Sequence, residues 1–372
     1  MSRILHLIHI RWWNASAQYA ADLAAAQKRL GHETAILTGT QCLAAQKAKA
    51  LGVTVFERRL TWPYFLNDQH YLAKLARGYD IINAHQADVQ NMALMTIARS
   101  GPLVVRTRVD VREVKGGALT RYLYNKRLPA IIVPGQNSKT AYTERLGIDP
   151  ERVHVVYGGV DTERFNPDAQ RRAQGRARLG LQPQQVAFGL VGRLGRIKDP
   201  QLYVAAAREV IRQHPQAVFF VAGREVEPGL EAQCRELAGE ELGRGIRFLG
   251  FVDDVPELLA ALDIGVITSA GSEAHCRVGL EMMSAGLPVV GADVGVIPEV
   301  VKHGETGYIV RSRQSQDWAA VMTGLVSNSE LRLQLSRQAR SRALTMFNYQ
   351  KWVAATDEVY RAAELVRSKQ WT

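Results

Sequence analysis

Residues 272–290 read Ser-Glu-Ala-His-Cys-Arg-Val-Gly-Leu-Glu-Met-Met-Ser-Ala-Gly-Leu-Pro-Val-Val. This stretch carries two carboxylates, Glu273 and Glu281, eight positions apart, and it follows an apolar strand pattern at 263–269. A helical pattern covers 278–285, and Gly286 with Pro288 ends it. We therefore expect Glu273 in the loop at the carboxyl end of a strand and Glu281 in the first turn of a helix, as in an open α/β sheet.

The segment has the chemistry of a sugar-nucleotide site. Ligands of open α/β sheets bind at this rim, and a helix start offers backbone N–H groups and a positive dipole end to a phosphate. Neighbouring carboxylates can accept hydrogen bonds from sugar hydroxyls. For Glu281 alone, an acidic residue stabilising the helix start is the preferred explanation, but the segment as a whole favours ligand binding.

A second segment, Leu190-Val-Gly-Arg-Leu-Gly-Arg-Ile-Lys-Asp-Pro200, places cations at the end of another predicted strand. Arg193 and Lys198 stand five positions apart and predict a clamp for an anion. Asp199 is expected to cap the helix that Pro200 begins. Such a clamp would neutralise the charge that develops on a departing phosphate ester.

Strand and helix patterns alternate along the 372-residue chain, which predicts two domains built on parallel βαβ units. The polar stretch 161–175 is typical of a linker. We expect a first domain at 1–165, a second at 166–347, a cleft between them, and a C-terminal helix at 348–372. That helix either packs on the second domain or crosses back to the first.

The net charge is +11, and residues 1–165 account for most of it, with 22 Lys and Arg against 13 Asp and Glu. A basic first half suits anionic lipid or a phosphorylated substrate, or is a solvated face without a partner. Its arginines lie among apolar residues, which disfavours nucleic acid. Three scattered cysteines fit no disulfide framework or zinc site, and no apolar run suits a signal peptide or a membrane span. These features indicate a cytoplasmic protein.

Together these segments resemble family 4 of the retaining glycosyltransferases, whose GT-B architecture has two facing Rossmann-like domains. Four blocks of the second half carry the resemblance: Val191-Gly-Arg-Leu with Lys198, Phe248-Leu-Gly-Phe-Val-Asp-Asp-Val-Pro-Glu, Ser272 to Glu281, and Gly304-Glu-Thr-Gly-Tyr-Ile. In the first half, residues 30–38 and 156–165 are similar in residue type to segments of the family.

By this resemblance, Arg193 and Lys198 hold the donor diphosphate, Glu273 contacts the transferred sugar, and Glu281 accepts from the ribose hydroxyls. The remaining donor-binding residues implied are His275, Cys276 and Arg277, by sugar and phosphate, and Phe251 and Val252, in the loop that reads the base. The resemblance implies a UDP- or GDP-sugar as substrate, no cofactor and no metal, because the two cations take the role that a divalent ion has in other transferases.

The first half departs from the family pattern in two places. Trp-Trp-Asn-Ala-Ser-Ala at 12–17 replaces a Gly-Gly pair, and Arg108 stands where many members have a histidine. His85, at the end of the preceding strand, is the nearest substitute and is expected to take part in catalysis; a hydrogen-bonded histidine at a strand end is the simple alternative. The residues expected on the acceptor side or in the cleft are Asn14, His85, Arg108, Asp110 and Arg112.

These features describe a retaining transferase that moves a sugar from a nucleotide sugar to a glycan or lipid-linked acceptor. The Ser-Glu-Ala-x-Cys-Arg-Val block and the basic first half point to lipopolysaccharide or another envelope glycan, made in peripheral contact with the inner face of the membrane. A sugar-nucleotide epimerase of the same architecture is the main alternative. A dinucleotide oxidoreductase is disfavoured because residues 10–17 contain no glycine.

Overall fold

The computed structural model of the chain describes residues 1–10, 14–58, 66–109, 117–271 and 273–371. It divides into two compact units: unit 1 contains Met1–Gly159 and Tyr349–Thr372, and unit 2 contains Val160–Asn348. The boundaries expected from the sequence, 165/166 and 347/348, lie a few residues from these divisions.

Strands and helices alternate in unit 1. They are β1 Arg3–Leu7, α1 Ala15–Arg29, β2 Glu33–Gly39, α2 Leu43–Ala50, β3 Thr54–Arg58, α3 Leu66–Ala76, β4 Ile81–Ala84, α4 Ala87–Thr96, β5 Leu103–Thr107, α5 Ala118–Lys126, β6 Ile131–Val133, α6 Gln136–Leu146 and β7 Val153–Val155. The strands form one parallel sheet in the order β3-β2-β1-β4-β5-β6-β7. The chain leaves β1 toward one edge and returns to β4 on its other side, so the carboxyl ends of β1 and β4 border a topological switch point.

Unit 2 repeats this construction. Its elements are α7 Ala169–Arg178, β8 Val186–Val191, α8 Pro200–Gln213, β9 Ala217–Ala222, α9 Leu230–Ala238, β10 Ile246–Gly250, α10 Val255–Ala261, β11 Ile264–Ile267, α11 Arg277–Ser284, β12 Val289–Ala292, α12 Ile297–Val300, β13 Gly307–Val310, α13 Ser315–Ser327 and α14 Ser329–Met346. The parallel sheet has the order β10-β9-β8-β11-β12-β13. Its switch point lies between β8 and β11, the two strands after which the predicted cations and Glu273 follow.

The central strands are apolar because both of their faces are covered. Residues of β8, β9 and β11 are almost all buried, as expected for parallel strands between two helical layers. Phe188 and Phe219 stack with ring centroids 4.6 Å apart, and Tyr203 of α8 meets Phe219 edge-on. This packing fixes the strand ends that carry the polar side chains.

The C-terminal helix, α15 at Tyr349–Trp371, belongs to unit 1. Trp352 donates from Nε1 to the Tyr19 hydroxyl at 2.9 Å, and the Asn83 amide donates to the Tyr360 hydroxyl at 2.8 Å. Gly159 is required where α15 begins, because a Cβ there would lie 2.6 Å from the Trp352 ring. Of the two placements that the sequence left open, the structure has the helix on the first domain.

The expectation of two Rossmann-like α/β domains is confirmed. Within the described ranges, no helix combines the length and the apolar character needed to cross a membrane.

Candidate functional site

The loop after β8 begins with a backbone turn that only glycine allows. Gly192 has φ +148°, and a Cβ on Gly223 would lie 1.7 Å from the Gly192 carbonyl oxygen. This close approach brings the ends of β8 and β9 together and turns the chain outward at Arg193. The Arg193 side chain is exposed, and no hydrogen bond or ion pair to it is found in the described part of the chain. Its guanidinium is thus available to an anion from solution.

The same loop ends in a tight turn that presents Lys198. Asp199, at φ +46°, caps α8 by accepting from the Leu202 N–H at 3.1 Å, as the sequence predicts. The Thr268 hydroxyl, just after β11, donates to the Lys198 carbonyl at 2.7 Å. The Ala270 N–H donates to the Ile197 carbonyl, also at 2.7 Å. The loops after β8 and β11 are therefore tied together across the switch point.

Glu273 lies in the loop after β11, where the sequence places it, and forms an ion pair with Lys198. The Ser269 hydroxyl donates to the same carboxylate at 3.0 Å. Gly295 packs so closely on this loop that a Cβ there would lie 2.2 Å from the Glu273 carbonyl oxygen. The Glu273 carboxylate is mostly buried, so Lys198 provides charge neutralisation that solvent does not.

Glu281 is not in the first turn of its helix, as predicted, but in the second, because α11 begins at Arg277. Arg277, one helical turn earlier, donates from Nε to the Glu281 carboxylate at 2.7 Å. Burial raises the pKa of the Glu281 carboxyl, and the positive charge of Arg277 opposes that rise. α11 begins directly after the loop that carries Glu273, and the positive dipole end of a helix favours an anion.

Two neutral side chains complete this helix start. Burial, with help from the charge of Arg277, lowers the pKa of His275 to about 3, so its imidazole is neutral at physiological pH. Burial and then the charge of Glu273 raise the pKa of the Cys276 thiol. The charges of Glu273 and Lys198 both act on the Cys276 thiol, which directly precedes α11, so the helix start lies near this ion pair.

The predicted base-reading loop lies at the end of β10. Phe251 is 60% exposed, and the Arg224 guanidinium lies 5.0 Å from the centre of its ring. Val252 next to it is half-buried. An exposed aromatic face beside a cation is suited to stacking on a nucleobase.

In unit 1, His85 directly follows β4 and is 1% exposed. Its Nε2 lies 3.0 Å from His6 Nδ1, and its Nδ1 has no hydrogen-bond partner among the described residues. A buried polar atom without a partner costs about 1–3 kcal/mol. Burial, followed by the charges of His6 and Arg106, holds the pKa of His85 well below its ordinary value. The imidazole is therefore a neutral hydrogen-bonding group.

The other residues predicted for unit 1 have structural contacts. Asn14 caps α1, accepting from the Ala17 N–H at 3.0 Å. Arg108 is buried, with its guanidinium 5.5 Å from the centre of the Tyr142 ring. Asp110 and Arg112 lie outside the described residues, so the predicted cluster of these two with His85 has no structural description.

Sequence reasoning missed a histidine–carboxylate contact at this same rim. His9, just after β1, lies with Nδ1 2.5 Å from an Asp88 carboxylate oxygen, and its backbone N–H donates to the Gln86 side chain at 2.7 Å. The signal was available, because Asp88 and His85 belong to one short stretch, Asn-Ala-His-Gln-Ala-Asp, after a strand. Among the described residues, no group of three or more His, Cys, Asp or Glu could hold a metal ion; the expected metal independence stays a prediction.

Comparison with known families gives two matches that divide the chain near the unit boundary. Residues 172–342 match the family "Glycosyl transferases group 1", and residues 16–164 match "Glycosyltransferase Family 4". The D-inositol 3-phosphate glycosyltransferase of Saccharomonospora viridis is 30% identical over 310 residues, which are 77% of this chain and 70% of that protein. That of Corynebacterium jeikeium is 33% identical over 56% of this chain, and the match spans only 51% of its length.

Solved structures show the same fold over nearly the whole chain. HepE of Anabaena, solved in complex with UDP, has a TM-score of 0.83 and 21% identity, with 97% of this chain and 100% of that chain covered. A glycosyltransferase of Rickettsia africae has a TM-score of 0.85 and 16% identity, with 97% and 98% covered. WaaG, described as involved in lipopolysaccharide biosynthesis, has a TM-score of 0.69 and 17% identity, with 96% and 99% covered.

Proposed function

The chain belongs to the group 1 glycosyltransferases of family 4, and on that premise we propose that it transfers a sugar, with retention, from a nucleotide-sugar donor to a glycan or lipid-linked acceptor. The observation that carries this proposal is the Lys198–Glu273 ion pair at the switch point of unit 2. Arg193 follows β8, and the N-terminus of α11 follows the loop that carries Glu273.

This arrangement suits a donor diphosphate because it offers two cations and the N-terminus of a helix. When the diphosphate binds, Lys198 turns from Glu273 to the phosphate. Glu273, held by Ser269, then accepts hydrogen bonds from hydroxyls of the sugar. The ion pair thus keeps both side chains in place, and Lys198 neutralises the charge of the Glu273 carboxylate until a donor binds.

In the transfer step, the bond from the anomeric carbon to the diphosphate oxygen breaks, and the electron pair leaves with the diphosphate. The acceptor oxygen bonds to the anomeric carbon on the same face, and its proton passes to the departing diphosphate oxygen. Arg193, Lys198 and the α11 N–H groups stabilise the negative charge that develops on the leaving group. The cations make a metal unnecessary for that purpose.

The donor is a UDP- or GDP-sugar, and the UDP bound to HepE supports UDP as the first candidate. The acceptor carries negative charge, which matches the basic residues 1–165. The relatives named for D-inositol 3-phosphate make a phosphorylated cyclitol one candidate. A lipopolysaccharide or other envelope glycan at an anionic membrane face is the other.

A donor panel followed by an acceptor assay tests this function. We expect UDP-glucose, UDP-N-acetylglucosamine or GDP-mannose to raise the melting temperature of the full chain. Release of the nucleoside diphosphate should then require D-inositol 3-phosphate or a lipopolysaccharide core acceptor, and an α-linked donor should give an α-linked product by NMR. Conversion of the donor to its epimer without any acceptor would refute transfer, and a β-linked product would refute retention.

A further inference from the structure

A line of buried side chains in unit 1 connects the C-terminal helix to His85. The Gln27 amide nitrogen lies 3.4 Å from the Tyr360 hydroxyl, and the Gln27 carbonyl oxygen lies 2.9 Å from His6 Nε2. His6 Nδ1 lies 3.0 Å from His85 Nε2. The Asn83 amide donates to the same Tyr360 hydroxyl at 2.8 Å. All five side chains are buried.

The order of contacts determines where each imidazole carries its proton. A neutral histidine has one N–H and one lone pair. The Gln27 carbonyl only accepts, so His6 donates to it from Nε2 and has its lone pair on Nδ1. That lone pair accepts from Nε2–H of His85, which leaves the His85 lone pair on Nδ1. Burial keeps both rings neutral, because it lowers the pKa of His6 to about 4 and holds the pKa of His85 well below its ordinary value.

His85 belongs to the edge of the sheet at which a ligand is expected. His85 directly follows β4, and its backbone N–H donates to the Leu7 carbonyl at the end of β1. These two strands border the switch point of the unit 1 sheet. No donor among the described residues meets His85 Nδ1.

We propose that Gln27, His6 and Tyr360 are positioning residues that hold His85 as its Nε2–H tautomer, so that Nδ1 accepts a hydrogen bond from a substrate hydroxyl. The tautomer is a property of the protein alone, whereas the role of the hydroxyl rests on the proposed transferase function. Sugar and cyclitol hydroxyls are the donors that such a lone pair selects.

The tautomer is measured by long-range proton–nitrogen NMR on the full chain labelled with ¹⁵N-histidine, with a His85→Gln spectrum to assign the signals. At pH 7 we expect Nδ1 of His85 to have the shift of an unprotonated nitrogen and Nε2 that of a protonated one. The reverse pattern would mean that the Gln27 amide is turned around, and it would overturn the proposal.

Two variants separate positioning from packing. Gln27→Met removes the acceptor and should give a mixture of His85 tautomers. Asp357→Asn is the matched control, because it disturbs a different contact of α15, the 3.1 Å pair of Asp357 with His32. It should leave the His85 signals unchanged. An unmixed His85 tautomer in a folded Gln27→Met variant would show that Gln27 does not control it.

The proposed hydrogen bond from a substrate hydroxyl to His85 is tested by the kinetics of acceptor-dependent release of UDP from UDP-glucose. We expect Gln27→Met to lower kcat about 10-fold with the donor KM changed less than about 2-fold, and Gln27→Glu, which keeps an acceptor oxygen, to recover most of the kcat. A mixed tautomer with unchanged kcat would overturn the hydroxyl role alone. A wild-type chain without transfer would count against the proposed function, while the NMR result would still decide the tautomer.

Discussion

The carboxyl-terminal rims of the two parallel sheets have the same topology but opposite chemistry. In unit 2 the switch point carries the Lys198–Glu273 ion pair and an exposed Arg193. In unit 1 the corresponding position carries neutral, buried imidazoles, His6 and His85. An ion pair beside a helix start suits a diphosphate, whereas a line of neutral hydrogen bonds suits the recognition of hydroxyls. On this proposal, one sheet architecture serves two different ligands.

The strongest test of the unit 2 rim is removal of its acid. Glu273→Gln should lower kcat for transfer about 10³-fold, while UDP still binds, because the carboxylate is assigned to the sugar and not to the phosphate. Titration calorimetry with UDP and a UDP-release assay measure the two quantities. Glu364→Gln is the control, since Glu364 pairs with Arg367 on the C-terminal helix of unit 1. Normal turnover in the Glu273 variant would show that Glu273 takes no part in the reaction.

The neutral imidazoles of unit 1 predict acid sensitivity. The pKa of His6 is about 4 in the folded protein against 6.5 in the unfolded chain, because burial disfavours its charge. The unfolded chain therefore binds the proton first, so the stabilisation is complete above pH 6.5 and is lost as pH falls toward 4. Its size is roughly 3 kcal/mol.

Hydrogen exchange at the amides of β1 and β4 between pH 7 and 4 measures this loss. A His6→Gln variant, which cannot titrate at that position, should lose less protection over the same range than the wild type. Equal losses in the two proteins would mean that protonation of His6 does not determine the acid response.

Loss of the cation clamp should weaken donor binding as well as slow transfer, and UDP alone isolates the effect on binding. Arg193→Ala combined with Lys198→Ala should weaken UDP binding about 30-fold, because two charge-assisted hydrogen bonds are lost. Arg196→Ala is the control, since that exposed arginine pairs with Glu227. If calorimetry gives the wild-type dissociation constant for the double variant, these two cations do not bind the diphosphate.

The smallest effect is expected at the base loop. Phe251→Ala removes an exposed ring that lies beside Arg224 and should weaken UDP binding about 3-fold. Competition with GDP sharpens this prediction, because loss of a stacking face should weaken the binding of UDP and of GDP alike. A change for one nucleotide only would assign base selection to Phe251.

The sequence predicted the elements that depend on local pattern. Both parallel sheets followed from alternating strand and helix signals, and the Asp199–Pro200 helix start followed from capping chemistry. Glu273, Arg193 and Lys198 were placed correctly at strand ends, since glycine and proline positions mark where strands and helices stop. The prediction that Glu281 lies in the first turn of its helix was wrong, because α11 begins at Arg277, one residue before the predicted start.

Contacts between distant segments could not be predicted from the sequence. Lys198 and Glu273 are 75 positions apart, and Gln27 and Tyr360 are 333 apart. Only the packing of β8 beside β11, and of α15 on unit 1, brings these pairs together. The His6–His85 contact depends in addition on β1 and β4 being neighbours although two other strands lie between them in sequence.

A crystal structure with an intact UDP-sugar bound tests the central claim most directly. The account predicts that the diphosphate contacts Arg193, Lys198 and the first N–H groups of α11, and that Glu273 has exchanged Lys198 for hydroxyls of the sugar. A UDP-sugar bound elsewhere, with the Lys198–Glu273 ion pair intact, would contradict it.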